Sequence, residues 1–318
     1  MVAEASEIDV DLVRRLLREQ MPQWAELPVV AVDQQGHDNR TFRLGDHLTV
    51  RLPSHQRYAA GIAEEEAVLP LLGRHLRTSI PEVVATGRPS EAFGIPFAVR
   101  RWLPGTSLDA ATAANIAIDE RLAADVGGFL RQLRAAPTEG GPAGGKHSFF
   151  RGCHPSAYGH EVQLALQRLA GAVDVAGCER VWARAIATAW PHPPVWFHGD
   201  VAPGNLLIDD DGALTAVIDF GTCGVGDPAC DLVLMWTHVD GNAQQHFREA
   251  AGLDDDTWAR ARGWALWKAL ITLAELRWLD EQPSRAQPEA QLRIIDRVLA
   301  DAAAAPRRWS SGSGSASS

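Results

Sequence analysis

Apolar residues recur at helical spacing near the start of the chain: Ile8, Leu12, Val13, Leu16 and Leu17 fall on one stripe. This predicts a first helix over residues 7–19, with Ser6 as N-cap and Pro22 as its limit. Three strand-like pieces follow near 29–34, 40–44 and 47–52, joined by Gly36-His37-Asp38-Asn39 and by Gly45-Asp46. A charged helix is expected over 57–76, then two further strands over 81–86 and 95–103. After Pro104-Gly105 the period becomes helical, with helices predicted near 118–135, 158–171, 178–190, 229–238, 243–251, 255–281 and 285–304. The chain shows no internal repeat. A β-rich first third followed by an α-rich remainder predicts an α+β architecture with two lobes.

The segment between the helical runs, WFHGDVAPGNLLIDDDGALTAVIDFG over residues 196–221, alternates strand and turn signals. Asn205–Asp209 reads as a short apolar strand. Asp210-Asp211-Gly212 supplies residues that tolerate a tight reversal. Leu214–Ile218 is a second strand containing Val and Ile. A hairpin of this form brings Asn205, at the start of one strand, beside Asp219, at the end of the other. Two oxygen-bearing side chains at one point suit a hard cation such as Mg2+, which also keeps water and phosphate oxygens as ligands. Acidic ends flanking one DG turn are common in ordinary hairpins. Here, however, His198-Gly199-Asp200, the five-residue step to Asn205, and Asp219-Phe220-Gly221 occur together.

That combination resembles the catalytic segments of protein kinases, H-R-D-x-x-x-x-N followed by D-F-G. The resemblance implies that Asp200 meets the hydroxyl of the acceptor and that Asn205 and Asp219 hold magnesium on the nucleotide phosphates. HGDVAPGNLLI, AVIDFG and GVGDPACDLVLMW together are similar to the aminoglycoside phosphotransferase family, and the likeness covers nearly the whole chain. It implies a two-lobed, protein-kinase-like fold, with a nucleotide-binding lobe over 1–102 and a catalytic and acceptor-binding lobe over 103–309. Residues 310–318, rich in Ser and Gly, read as a flexible tail or scar without fold information.

The resemblance also distributes the nucleotide contacts. Gly36 and Asn39 lie in the turn where a kinase covers the phosphates, although a single glycine does not make G-x-G-x-x-G. Arg51, ending Thr49-Val50-Arg51, stands where kinases carry a phosphate-binding lysine; arginine keeps the charge and a bidentate fork. Its implied partner is Glu65, chosen from Glu64, Glu65 and Glu66 by its distance from Leu69-Pro70. The backbone around Arg100, Arg101 and Trp102 is implied as the contact to the purine edge. His198 is expected to hold the catalytic loop, and Asp227 and Asp231 to brace the helix that follows.

Charge and composition refine the substrate class. Thirty basic against forty acidic residues give a net charge of −10, which argues against a nucleic-acid-binding surface and would suit a cationic acceptor. Asp240, Asp254, Asp255, Asp256, Glu275 and Asp280 are candidate binders of ammonium groups. Trp236, Trp258, Trp264, Trp267 and Trp278 read mainly as core, with one or two available to wall an acceptor cleft. Cys153, Cys178, Cys223 and Cys230 lack C-x-x-C spacing and read as free thiols of a reducing cytosol. Residues 1–20 have no continuous apolar core of a signal peptide. Trp264–Leu276 is interrupted by Lys268 and too short to span a bilayer. A cytoplasmic location, without membrane or nucleic-acid partners, is therefore expected. Histidines without H-E-x-x-H pairing and the lack of a G-x-S-x-G elbow leave zinc and serine-hydrolase chemistry without a motif.

The function implied by the resemblance is Mg-dependent transfer of a γ-phosphate from ATP or GTP to a hydroxyl of a small molecule, such as an aminoglycoside or macrolide antibiotic. Kinases of choline-like, homoserine-like or sugar-amine metabolites remain open on the same motifs, as does a nucleotide-binding pseudokinase. A protein kinase is disfavoured, because GDPACD stands where A-P-E would follow.

Overall fold

A computed structural model describes residues 8–33, 35–36, 38–113, 117–276 and 286–304. The first helix is α1 (Val10–Gln20). Ser6 lies outside the described residues; Asp9 caps α1, its side chain accepting from the Leu12 N–H at 2.8 Å. Strands β1 (Val29–Ala31), β2 (Asn39–Leu44), β3 (Leu48–Pro53), β4 (Val83–Gly87) and β5 (Phe97–Arg101) form one antiparallel sheet in the order β1-β2-β3-β5-β4. Helix α2 (Ala60–Leu72) is inserted between β3 and β4. These are the five strands and one helix that the alternation predicts.

The sheet separates two chemistries, because side chains alternate across it. Val50, Leu52, Phe97 and Val99 face α1 and form a compact core with Leu12, Val13, Leu16 and Leu17. Thr49, Arg51, Ala98 and Arg100 lie on the opposite face by register, with Arg51 opposite Ala98 and Thr49 opposite Arg100. That face carries the polar side chains that meet α2.

The remainder is helical. After β6 (Thr106–Ser107) come α3 (Leu108–Ala113), α4 (Glu120–Ala135), α5 (Gly159–Arg168) and α6 (Val175–Ile186). Strands β7 (Val195–Phe197), β8 (Leu206–Ile208), β9 (Leu214–Val217) and β10 (Gly224–Gly226) lead to α7 (Leu234–Thr237), α8 (Ala243–Ala251), α9 (Asp255–Leu276) and α10 (Ala286–Ala304). Helix α9 is buried along most of its length, and Trp236, Trp258, Trp264 and Trp267 all belong to the larger core. Trp278 and Asp280 lie outside the described residues, as does the tail 310–318.

Boundaries moved where capping overrides periodicity. Helix α6 starts at Val175 and not near 178, because the Asp174 side chain accepts from the Gly177 N–H at 2.9 Å. The helix expected at 229–238 divides into a 3-10 turn over Pro228–Leu232 and the short α7. The 3-10 turn begins at Asp227, which accepts from the Ala229 N–H. The short β6, β7, β10 and α3 carry too few residues for a periodic signal, and pattern reading missed them.

Candidate active site

The hairpin has the expected form. Strands β8 and β9 pair antiparallel, with Leu206 opposite Val217. Gly212 takes φ of +77° in the turn, and the Asp209 carboxylate accepts from the N–H groups of Asp211 and Ala213. At the open end the Ile218 N–H donates to the Asn205 carbonyl at 2.9 Å. Asn205 therefore lies across from Ile218 and next to Asp219. Asn205 Nδ2 also donates to the Asp200 carbonyl at 2.9 Å and to Asp200 Oδ2 at 3.0 Å. One side chain thus ties the aspartate loop to the hairpin.

The loop from His198 to Asp200 is latched from beneath. Asp231 accepts from the His198 N–H at 2.8 Å and the Gly199 N–H at 2.7 Å. His198 is fully buried; its Nδ1 accepts from the Asp200 N–H, and its Nε2 lies 3.1 Å from the Ile218 carbonyl. Gly199 sits at φ of +84°, and a Cβ there would fall 2.8 Å from Thr222 Oγ1. Only glycine fits that approach. The expected loop-holding place of His198 is the observed one. Asp231 differs from expectation: it braces the His198–Asp200 loop, while Asp227 alone caps the following turn. The spacing of Asp227 and Asp231 marks them as a pair, but no local signal shows that their partners differ.

Asp219 is one of three described non-glycine residues at positive φ, at +69°. That left-handed conformation costs about 1–2 kcal/mol for an L-residue. It places the carboxylate toward the sheet: Arg51 Nη2 donates to Asp219 Oδ1 at 2.8 Å. Arg51 Nη1 lies 3.4 Å from Glu65 Oε1, and the same carboxylate oxygen accepts from the Phe220 N–H at 3.1 Å. Glu65 is thus the α2 glutamate facing Arg51, at 2% exposure, whereas Glu66 is exposed. With its amide oxygen turned to the guanidinium, Asn39 accepts from Arg51 Nη2 at 2.8 Å and Nε at 3.1 Å. The Arg51 guanidinium beside it holds the Asp219 carboxyl below its ordinary range, against the opposing effect of burial. Burial opposes charge on Arg51, but Asp219 and Glu65 outweigh it and hold the guanidinium above its ordinary value.

The residues before the lobe connection have contacts that the sequence does not indicate. Arg100 is implied there as a backbone contact to a base, yet its buried side chain forms an ion pair with Glu65. The Arg101 N–H donates to the Glu82 carbonyl, and its exposed side chain pairs with the Glu82 carboxylate at 2.7 Å. The Trp102 N–H donates to the His47 carbonyl at 2.8 Å, and its ring lies under Arg43. Both of these N–H groups are thus engaged within the protein. Gly36 is exposed and its carbonyl accepts from Arg40 at 2.7 Å; His37 beside it lies outside the described residues.

Most of the candidate ammonium binders are already engaged. Asp240 pairs with Arg297, Asp255 with Arg248 and Asp256 with Arg184. Asp254 accepts from the Thr257 N–H at 2.7 Å at the start of α9. Glu275 is exposed. Nearby, Tyr158 stacks on Trp267 at 3.9 Å between ring centroids and meets Trp264 edge-on. The four cysteines are free.

Residues 29–264 match the family described as the phosphotransferase enzyme family. The chain belongs to that family. Aminoglycoside 2'-phosphotransferase-IIIa, in its GDP complex, aligns with a TM-score of 0.64 at 21% identity, over 91% of this chain and 98% of that one. The macrolide 2'-phosphotransferase MphH from Brachybacterium faecium gives 0.58 at 21% identity, over 90% and 98%. The streptomycin–ATP complex of APH(2")-IIa gives 0.57 at 17% identity, over 94% and 97%. At these identities the likeness is one of fold: two-lobed and kinase-like, as expected from the sequence. A local match of 48 residues at 42% identity joins it to the uncharacterized protein YcbJ of Bacillus subtilis (strain 168), over 15% of this chain and 16% of that protein. Among the described residues no helix is long and apolar enough to cross a membrane.

Proposed function

We propose that this protein transfers the γ-phosphoryl group of ATP or GTP to a hydroxyl of a small molecule. The observation that carries the reading is a polar cluster in which Arg51 of the sheet meets both Glu65 and Asp219, while Asn205, across the hairpin end from Ile218, meets Asp200. In this reading the acceptor hydroxyl loses its proton to Asp200 as its oxygen attacks the γ-phosphorus. The bond from that phosphorus to the β–γ bridging oxygen breaks, and the nucleoside diphosphate leaves. The Asn205 amide fixes one oxygen of Asp200 and leaves the other to meet the hydroxyl. Arg51 neutralises phosphate charge.

The donor set fits magnesium, since Asn205 and Asp219 offer an amide oxygen and a carboxylate to a hard cation that takes its remaining ligands from phosphate and water. Such an ion would offset charge on the phosphates. GDP and ATP in the complexes of the similar enzymes support a nucleotide donor. A division near Trp102 and Leu103 into a nucleotide lobe and an acceptor lobe belongs to the same reading, as does a cytoplasmic site of action.

The antibiotic-modifying names of the similar structures support an antibiotic acceptor. A metabolite kinase is the alternative. A phosphate-transfer screen with ATP and GTP against aminoglycosides, macrolides and hydroxylated metabolites tests the reading. Turnover on one acceptor, abolished in Asp200→Ala, is expected. Mg-nucleotide binding without transfer to any acceptor would instead support a pseudokinase.

A further inference from the structure

Two arginines share Glu65, and they are not equivalent. Arg100, on β5, directs both Nη atoms to the carboxylate. Its Nε is buried without a hydrogen-bond partner among the described residues. Glu65 is the one side-chain acceptor that Arg100 contacts among the described residues. Arg51, on β3, reaches Glu65 with one Nη at the long distance of 3.4 Å, and divides its other donors between Asp219 and Asn39. Its side chain is 14% exposed against 5% for Arg100. Glu65 in turn accepts from the Phe220 N–H, so its position fixes the backbone beside Asp219.

The charges explain why two cations stand here. Arg51, Arg100, Glu65 and Asp219 sum to zero. With Arg51 as the single cation, its departure toward phosphate would leave Glu65 buried and unpaired, which is strongly unfavourable. With Arg100 in place, Glu65 keeps its partner whichever way Arg51 turns.

We propose that Arg100 is a positioning residue: it keeps Glu65 anchored on the Phe220 N–H and thereby frees Arg51 to exchange Asp219 and Glu65 for the nucleotide phosphates. Arg100 itself does not touch the nucleotide. The inference rests on the phosphotransferase reading above. It makes Arg51 a mobile phosphate ligand and gives the Arg100–Glu65 pair the anchoring duty.

The test is calorimetric titration with Mg-ATP and Mg-GTP, which needs no acceptor. Absence of binding by the wild type would sink the functional reading itself. Given wild-type binding, Arg100→Met should raise the Kd for both nucleotides about tenfold or more, because Glu65 then captures Arg51. Adding Glu65→Gln removes the capturing charge. The double variant should return to the Kd of Glu65→Gln alone, tighter than Arg100→Met. A packing role predicts a double variant at least as weak as Arg100→Met, and that result, or an unchanged Kd in Arg100→Met, would overturn the proposal. A loss confined to one base would point to direct base contact and overturn it as well. Hydrogen exchange on the wild type gives a measurement that needs no variant. The Phe220 amide should stay protected when Mg-nucleotide binds; loss of that protection would show that Glu65 moves with Arg51.

Discussion

Arg51 Nη2 and Asp219 Oδ1 lie 2.8 Å apart, although 168 residues separate them in the chain. This contact joins the third strand of the sheet to the end of the β8–β9 hairpin. If Arg51 serves the phosphates, Arg51→Ala should raise the Michaelis constant for nucleotide and lower turnover. A lost charge-assisted contact of about 1.5–3 kcal/mol corresponds to roughly tenfold or more. Kinetics with varied nucleotide decide it, and unchanged parameters would refute the phosphate role.

Asp200→Ala should reduce turnover by about 10²–10⁴-fold, the usual contribution of a positioned general base. Nucleotide affinity should fall far less than turnover, since among the described residues Asp200 does not contact Arg51. Near-wild-type turnover in the folded variant would end the assignment.

The Asp219 bridge carries a pH signature. Arg51 holds the folded carboxyl below its ordinary value. The folded state therefore binds this proton less readily than the unfolded chain, and the bridge contributes stability above the unfolded pKa, near 3.9. That contribution falls away as pH drops through the lower folded value. Asp219→Asn removes it, so the variant should lose less stability than wild type over the same acid window. Denaturant titrations of both proteins at several pH values measure the difference; parallel acid profiles would show that the bridge has no such linkage.

Much of the candidate site's geometry was legible in the sequence because three of its residues lie in one continuous stretch. Asp200, Asn205 and Asp219 follow from a loop and a hairpin whose turn residues are explicit. The β-rich lobe followed from alternation, since α1 and one sheet face make an ordinary amphipathic core. The side-chain role of Arg100 was not legible for a physical reason. Its neighbours place it in a strand, but nothing local says whether backbone or side chain does the work, and Glu65 is 35 residues away. The latch from Asp231 to His198 and Gly199 is hidden similarly, because its acceptor comes 32 or 33 residues later.

Glu65 is more deeply committed than a residue that merely orients Arg51. It is buried, and it serves Arg51, Arg100 and the Phe220 N–H. Glu65→Ala leaves Arg100 buried without a counter-charge, and removing one partner of a buried pair typically costs about 3–5 kcal/mol. The variant should lose stability on that scale. A denaturation midpoint equal to wild type would show that Arg100 finds another partner.

The remaining prediction concerns a pair that no motif announces. Arg260 lies inside the apolar run of α9 with no exposed side-chain surface, and its Nε donates to Asp227 Oδ2 at 2.6 Å. Its Nη2 also donates to Thr257 Oγ1 at 3.0 Å. Burial pushes the Asp227 carboxyl above its ordinary value even with Arg260 beside it. The pair fixes the turn that presents Asp231 to the His198–Asp200 loop, so damage here should reach the candidate site through the fold. Arg260→Met leaves a buried carboxylate unpaired and should cost about 3–5 kcal/mol, whereas replacing both ions by uncharged side chains of similar volume is often nearly neutral. Arg260→Met combined with Asp227→Asn should therefore be clearly more stable than Arg260→Met alone. The asparagine can still accept from the Ala229 N–H and keep the cap. Urea denaturation of wild type, both single variants and the double variant closes the cycle. Strictly additive losses would show that the two side chains stabilise the fold independently of each other.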